Sequence, residues 1–131
     1  MNNTAKYKSS NEWIKQAEYD IKTASAMYNS GRYIYCIFMC HLSIEKALKA
    51  HYAETNKSNP PKTHNLNYLL SKTNLKPVKD FQDFIEELND KSVPTRYPDD
   101  IKRILKNFKK KDSSILLNKS KQLLKWLKTQ L

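Results

Sequence analysis

The chain has 131 residues, a net charge of +11 from 24 basic and 13 acidic side chains, and only one glycine. This length suits one domain with one core. A single glycine argues against all-β folds, Walker phosphate loops and dinucleotide-binding loops, because those structures need positive φ or close backbone approach. The longest apolar run, residues 33–40, is far shorter than the ~20 residues of a membrane helix. With its polar N-terminus and two cysteines, the sequence predicts one cytoplasmic domain over residues 1–131, flexible at residues 1–8, with no membrane segment.

The charge is unevenly distributed along the chain. Residues 101–131 carry ten basic side chains and one acidic side chain, which gives +9 there and leaves +2 for the first 100 residues. Such a concentration of positive charge favours binding of a polyanion or of an acidic partner protein. A solvated, lysine-rich helix face explains the same pattern, and composition does not separate the two interpretations.

The first two helices have clear boundaries. Ser9 and Glu12 fit a capping box at the start of the first helix, and Gly31 suits the left-handed position after its end. The second helix covers residues 32 to about 55. Its apolar side chains lie on three sides, in an aliphatic stripe (Ile34, Ile37, His41, Ile44, Leu48), a small-residue stripe (Cys36, Cys40, Ser43, Ala47, Ala50) and a third group (Tyr35, Met39, Leu42). A helix that is apolar nearly all round needs cover on every side, so we expect a homodimer through or near it.

The rest of the chain also has helical periodicity. A short third helix follows residues 59–61, with Thr63 or Asn65 as its cap, and Pro77 opens a fourth with Val78, Phe81, Phe84, Ile85 and Leu88 buried. A stiff loop, "VPTRYPDD" at residues 93–100, comes next, then one or two loose helical turns. The last helix begins near Asp112 as its cap, with Leu116, Leu123, Leu127 and Leu131 facing inward. We therefore predict an all-α, up-and-down antiparallel bundle of four to five helices.

The histidines and cysteines do not form an obvious metal site. His41 points about 100° away from Cys40 on a helix, so Cys36, Cys40 and His41 cannot converge on one ion, and we predict neither a metal nor a cofactor. His41 is expected to be a hydrogen-bonded core residue, His64 a turn or cap former, and His51 an exposed helix residue.

Charged neighbours on the second helix allow two interpretations. Glu45 and Lys49 are spaced as an ordinary surface ion pair. The same segment, "EKALK", would also present the amines of Lys46 and Lys49 to a phosphate group, and nothing local separates these alternatives.

Six segments in this order resemble the small stand-alone HEPN proteins of prokaryotes. They are "QAEYDI" (16–21) after Trp13, "GRY" (31–33), "IEKALKA" (44–50), "PPKTHNL" (60–66), "PTRYPDD" (94–100) and "LLKWLK" (123–128). The resemblance implies a homodimeric HEPN-like helical bundle. It also implies pairing with a minimal nucleotidyltransferase in a toxin–antitoxin-like module. Many members are metal-independent ribonucleases, and others are nucleotide- or substrate-binding modules.

The ribonuclease branch of this family uses an arginine followed by a histidine after four to six residues. None of the three arginines, Arg32, Arg96 and Arg103, has a histidine at those positions. The resemblance therefore favours a non-catalytic nucleotide- or RNA-binding or partner-docking module. A divergent ribonuclease is the alternative, and it would need Arg96 to meet His41 or His64 in the fold.

The "VPTRYPDD" segment is consistent either with structural pinning or with a ligand clamp. Its prolines restrict φ, Arg96 has forked donors for phosphate or carboxylate, and Tyr97 can stack on a base. Asp99 can pair with Arg96 or cap the next turn. The predicted ligand-binding set comprises Arg96, Tyr97, Asp99, Lys46, Lys49, His41 and His64.

Overall fold

The computed structural model describes residues 6–96 and 101–131, and the regular structure in those ranges is entirely helical. Its helices are α1 (Ser10–Asn29), α2 (Tyr33–Asn56), α3 (Leu66–Ser71), α4 (Lys79–Arg96), α5 (Ile101–Asn107) and α6 (Lys110–Thr129). The predicted all-helical class is confirmed. The described ranges hold six helices, because the short α3 and α5 accompany four long ones. Tyr97, Asp99 and residues 1–5 of the predicted flexible N-terminus lie outside the described residues.

Local signals set the α1–α2 hairpin. The Ser9 hydroxyl accepts a hydrogen bond from the backbone N–H of Glu12 at 3.2 Å, which is the Ser9 half of the predicted capping box. The Glu12 carboxylate accepts from Gln16 Nε2. Gly31 has φ +76°, which lets the chain leave α1 and enter α2 without the strain that a side chain would introduce. These two helices share the most extensive contact in the fold.

Small residues bring α1 and α2 close together. Ala17 and Ala24 of α1 and Ala47 of α2 are fully buried, and the Ser43 hydroxyl donates to the Ala17 carbonyl at 2.7 Å. Residues this small allow two backbones to approach closely, and the hydroxyl bond fixes their register.

A single copy of the chain covers most of α2. The aliphatic and small-residue stripes are buried by α1, α3, α4 and α6, whereas Met39 and Leu42 are half-buried and Tyr35 is 52% exposed. The expectation that one chain cannot cover this helix is therefore wrong for two of its three sides. The homodimer stays a prediction.

Helix α4 extends further than the sequence pattern indicates. Residues 93–96, predicted to open a stiff loop, form its last turn, and Pro94 lies inside the helix. Proline removes one backbone donor from the helix, and nearby hydroxyls bind carbonyls of the same turns: Ser92 donates to Asn89 and Thr95 to Ser92. Arg96 consequently sits on a helix, where its direction is fixed.

Three residues near the ends of α4 and α6 differ from the positions predicted for them. Val78 precedes α4 and is 65% exposed, because Pro77 occupies the buried position beside it. Helix α6 begins at Lys110, so Asp112 caps it from the third helical position, accepting from the Lys109 backbone N–H at 3.3 Å. Leu131 follows the end of α6 and is 47% exposed. Within residues 6–96 and 101–131, the helices are too short or too polar to span a bilayer.

The close α1–α2 contact makes a packing prediction. Ala17→Leu should lower the free energy of unfolding by about 1–3 kcal/mol, because a larger side chain at a fully buried site must push the helices apart. Ala26→Leu makes the same substitution at an exposed site of α1 and should leave stability nearly unchanged. Urea unfolding followed by circular dichroism measures both, and equal stability of the two variants would contradict this packing.

Candidate functional site

Three polar side chains form one line along the buried side of α2. His41, Glu45 and Lys49 are spaced four residues apart, so they share a face, and they are 1%, 4% and 8% exposed. The burial of His41 agrees with its expected place in the core. The expected ion pair of Glu45 and Lys49 forms, but its expected position at the surface is wrong, because other segments of the chain cover both side chains.

The Glu45 carboxylate is the centre of this cluster. Its Oε2 lies 3.0 Å from Lys49 Nζ, and its Oε1 lies 2.9 Å from His64 Nδ1 and 3.5 Å from Arg96 Nη2. A buried carboxylate is costly unless cations and donors compensate for its lost hydration. Donors from α2, from the loop before α3 and from the end of α4 supply that compensation here.

His41 and Arg96 meet inside the fold, although 55 residues separate them in the sequence. Arg96 Nη2 lies 2.6 Å from His41 Nδ1. Because a guanidinium only donates, Nδ1 must accept, and the ring proton of neutral His41 is on Nε2. Burial and then the positive charge of Arg96 lower the pKa of His41 from 6.5 to about 4, against a smaller opposing effect of Glu45. His41 is therefore neutral at neutral pH.

The last turn of α4 aims Arg96 at this cluster. The guanidinium lies 4.8 Å from the centre of the Phe38 ring, and the Arg96 side chain is 11% exposed. Stacking on an aromatic ring leaves the edge of a guanidinium available for in-plane hydrogen bonds. The described contacts of this edge are with His41 and Glu45.

A cavity of about 240 Å³ opens beside the cluster. Its lining residues are His41, His64, Asn65, Asn89, Ser92, Val93 and Arg96. The His64 side chain is 56% exposed, so this imidazole connects the buried carboxylate to the mouth of the cavity. Asn89 also lines the cavity, and its Oδ1 accepts from the Leu66 backbone N–H at 2.9 Å.

Four members of the predicted ligand-binding set therefore lie together around Glu45: His41, Lys49, His64 and Arg96. Lys46 does not join them, because its Nζ lies 2.8 Å from Asp20 Oδ2 on the α1 side of α2. His64 was expected to form a turn or a cap, but its Nδ1 lies against Glu45 instead. Asn65, one of the two predicted caps of α3, accepts from the Tyr68 backbone N–H. Tyr97 and Asp99 lie outside the described residues.

Sequence reasoning missed two parts of this arrangement and misplaced one histidine. Glu45 was treated as a surface residue and Asn89 was not considered. The available signal for Glu45 was its spacing of four from His41 on an apolar helix. His51 is not exposed as expected: it is 5% exposed, with Nε2 at 2.8 Å from the Leu127 carbonyl.

The two thiols lie apart from the cluster. Cys36 and Cys40 are buried and free, on the small-residue stripe of α2. Among the residues that the structure describes, no group of three or more histidines, cysteines and carboxylates is arranged to hold a metal ion.

Comparison with known proteins gives a consistent result over nearly the whole chain. The HEPN domain family model matches residues 10–130. TT1696 from Thermus thermophilus has a similar structure, with a TM-score of 0.80, 19% sequence identity and coverage of 93% of this chain and 98% of that one. ST0689, described as an archaeal HEPN homologue, has a TM-score of 0.74 and 26% identity, covering 94% of this chain and 98% of its own. No protein with a curated description matches significantly.

The low pKa of His41 predicts a pH dependence of stability. The unfolded chain binds a proton at this residue near pH 6.5 and the folded chain only near pH 4, so the free energy of unfolding should rise with pH across that window. The rise from His41 is at most about 3 kcal/mol. Burial also lowers the pKa of His51, which adds in the same direction.

Matched unfolding curves at several pH values test this. His41→Gln keeps an acceptor for Arg96 but cannot titrate, so its curve should be flatter than the wild-type curve between about pH 4 and 6.5. Glu45, His64 and Arg96 surround His41 and remain in both proteins. An unchanged slope would show that His41 does not carry the effect.

Proposed function

Because the chain belongs to the HEPN domain family, we propose that it is a non-catalytic module that binds a nucleotide or RNA, with a phosphate group seated in the cavity beside Arg96 and His41. The contact of 2.6 Å between the Arg96 guanidinium and the neutral His41 ring carries this proposal. It holds an arginine in one direction at the wall of a cavity, as recognition of a phosphate requires.

The charge around the cavity supports an anionic ligand. Arg96 and Lys49 are cations, Glu45 is the carboxylate that both of them contact in the described part of the chain, and His41 is neutral at neutral pH. Among the described residues, this cluster therefore carries two positive charges and one negative charge. A phosphate in this cavity would lie beside Arg96 and His64, which both line it.

The size of the cavity supports a small group. Its volume of about 240 Å³ is below the range of about 300–1,000 Å³ that is usual for pockets enclosing whole drug-sized ligands. A phosphate with part of its sugar fits this space better than a complete nucleotide. We therefore expect the base to lie outside the cavity described here.

A partner protein belongs to the same proposal. We expect the chain to form a homodimer and to work with a minimal nucleotidyltransferase in a toxin–antitoxin-like pair, as its family resemblance implies. The excess of lysine in residues 101–131 supports an acidic or nucleic-acid partner.

Arginine substitution tests the binding role. Arg96→Ala should weaken binding of a short single-stranded RNA by about tenfold or more, and Arg96→Lys should only partly restore it, because lysine lacks the forked donors. Arg32→Ala removes the same charge at an exposed site in the α1–α2 turn and should bind like wild type. Fluorescence polarisation measures affinity, and thermal unfolding shows whether each variant is folded. Equal binding by Arg96→Ala and Arg32→Ala would exclude this pocket.

One observation favours a second candidate, a divergent metal-independent ribonuclease. The His64 imidazole is held by the Glu45 carboxylate at 2.9 Å and opens onto the cavity that Arg96 lines. A carboxylate that orients a histidine is the usual support for a general base, and an adjacent arginine would stabilise charge on the phosphate. His41 is a poor proton carrier at neutral pH because its pKa is about 4. His64 would therefore be the acid–base group.

Cleavage in the presence of a chelator distinguishes the two candidates. If the chain is a ribonuclease, the pure protein cuts RNA, and His64→Gln lowers the rate by about a hundredfold, since general acid–base catalysis contributes that much or more. His51→Gln changes a histidine outside the cavity and should retain the rate. RNA left intact by the wild type excludes the enzyme, and equal cleavage by His64→Gln shows that His64 is not the acid–base group.

A further inference from the structure

A second concave surface lies between α1 and α6 and shares no lining residue with the Arg96 cavity. We call it the α1–α6 groove; it has a volume of about 370 Å³. Its lining residues are Ile21, Lys121, Leu124, Lys125, Lys128 and Thr129. The proposed phosphate site makes no use of this surface, so its role needs a separate explanation.

The groove has an apolar floor and a cationic rim. Ile21 and Leu124 form the floor, and the lysines at 121, 125 and 128 recur with helical spacing along about 10 Å of α6. Lys128 also contacts Glu18 across the groove at 2.9 Å, which joins the two walls at one end. The ion pair between the walls is exposed and contributes little by itself. An apolar floor together with a cationic rim limits which chemical type of partner can bind in the groove.

An acidic, partly apolar occupant fits this surface better than nucleic acid or a second copy of the chain. RNA would match the lysines but would leave the aliphatic floor without a partner, and the lining has no aromatic ring for base stacking. A contact between the grooves of two copies would place the lysines of both α6 helices against each other, so these two surfaces would repel.

We propose that the α1–α6 groove docks an amphipathic helix of an acidic partner protein. Apolar side chains on one side of that helix would cover Ile21 and Leu124, and its carboxylates would approach Lys121 and Lys125. Helix-in-groove recognition uses this arrangement of an apolar stripe and flanking charges. Leu124 is only 5% exposed, so Ile21 offers most of the apolar contact, and the lysines contribute to affinity as well as to encounter and orientation. This inference does not depend on phosphate binding at Arg96.

A designed peptide tests the groove directly. The probe is a fluorescein-labelled helical peptide of about 14 residues, with leucines at helical spacing on one face and glutamates elsewhere. It should bind the wild-type protein, and Lys121→Glu combined with Lys125→Glu should weaken binding by about tenfold or more. Lys110→Glu combined with Lys111→Glu changes net charge equally in the first turn of α6, outside the groove. That control should bind within about twofold of wild type.

Two further arms separate the floor from the rim. Ile21→Ser changes the apolar floor and should weaken peptide binding without a change in charge. Lys121→Ala combined with Lys125→Ala removes the same two lysines of the rim and introduces alanine, which favours helix formation. Thermal unfolding confirms that each variant is folded. The proposal is overturned by equal losses in the groove and control pairs, by equal binding of a peptide with scrambled leucines, or by absence of binding to the wild type. Displacement of the peptide by a single-stranded RNA that binds the same lysines would also overturn it.

Discussion

A carboxylate buried in the middle of α2 determines how the site is assembled. Glu45 is 4% exposed, and a charge in such a place costs roughly several kcal/mol unless donors surround it. Lys49, His64 and Arg96 surround it, and they come from α2, from the loop before α3 and from the last turn of α4. The requirement to compensate one charge thus brings together segments that are distant in sequence. The cavity lies where these segments meet.

The packing of α2 separates this site from the rest of the molecule. Small residues on the α1 side, among them Ser43 and Ala47, allow close helix contact, while His41 and Glu45 on the other side remain beneath α3 and α4. Arg96 keeps its positive charge and His41 stays neutral, so the charge presented to the cavity is concentrated on one guanidinium. The α1–α6 groove has a different character, with several exposed lysines around an aliphatic floor. One small bundle therefore carries two concave surfaces of different chemical character.

The sequence predicted the positions of the helices better than the side-chain contacts between distant segments. Apolar periodicity and the signals at Ser9 and Gly31 located the long helices, because those features act within a few residues. Pro94 suggested a loop by the same local reasoning, but α4 continues through it to Arg96. The local sequence around Glu45 and Lys49 is the same whether this ion pair is exposed or buried. Segments far along the chain determine whether the pair is covered. His51 is similar, since its partner Leu127 lies 76 residues away.

The protonation state of His41 gives the most direct test of the central arrangement, and long-range ¹H–¹⁵N NMR spectra of the histidine rings report it. At about pH 6, His41 should be neutral with its proton on Nε2, because Arg96 donates to Nδ1 and the pKa is depressed to about 4. Glu45→Gln removes the carboxylate that favours the protonated ring, so it should not raise that pKa. A doubly protonated His41 at this pH, or a proton on Nδ1, would contradict the contact on which the site depends.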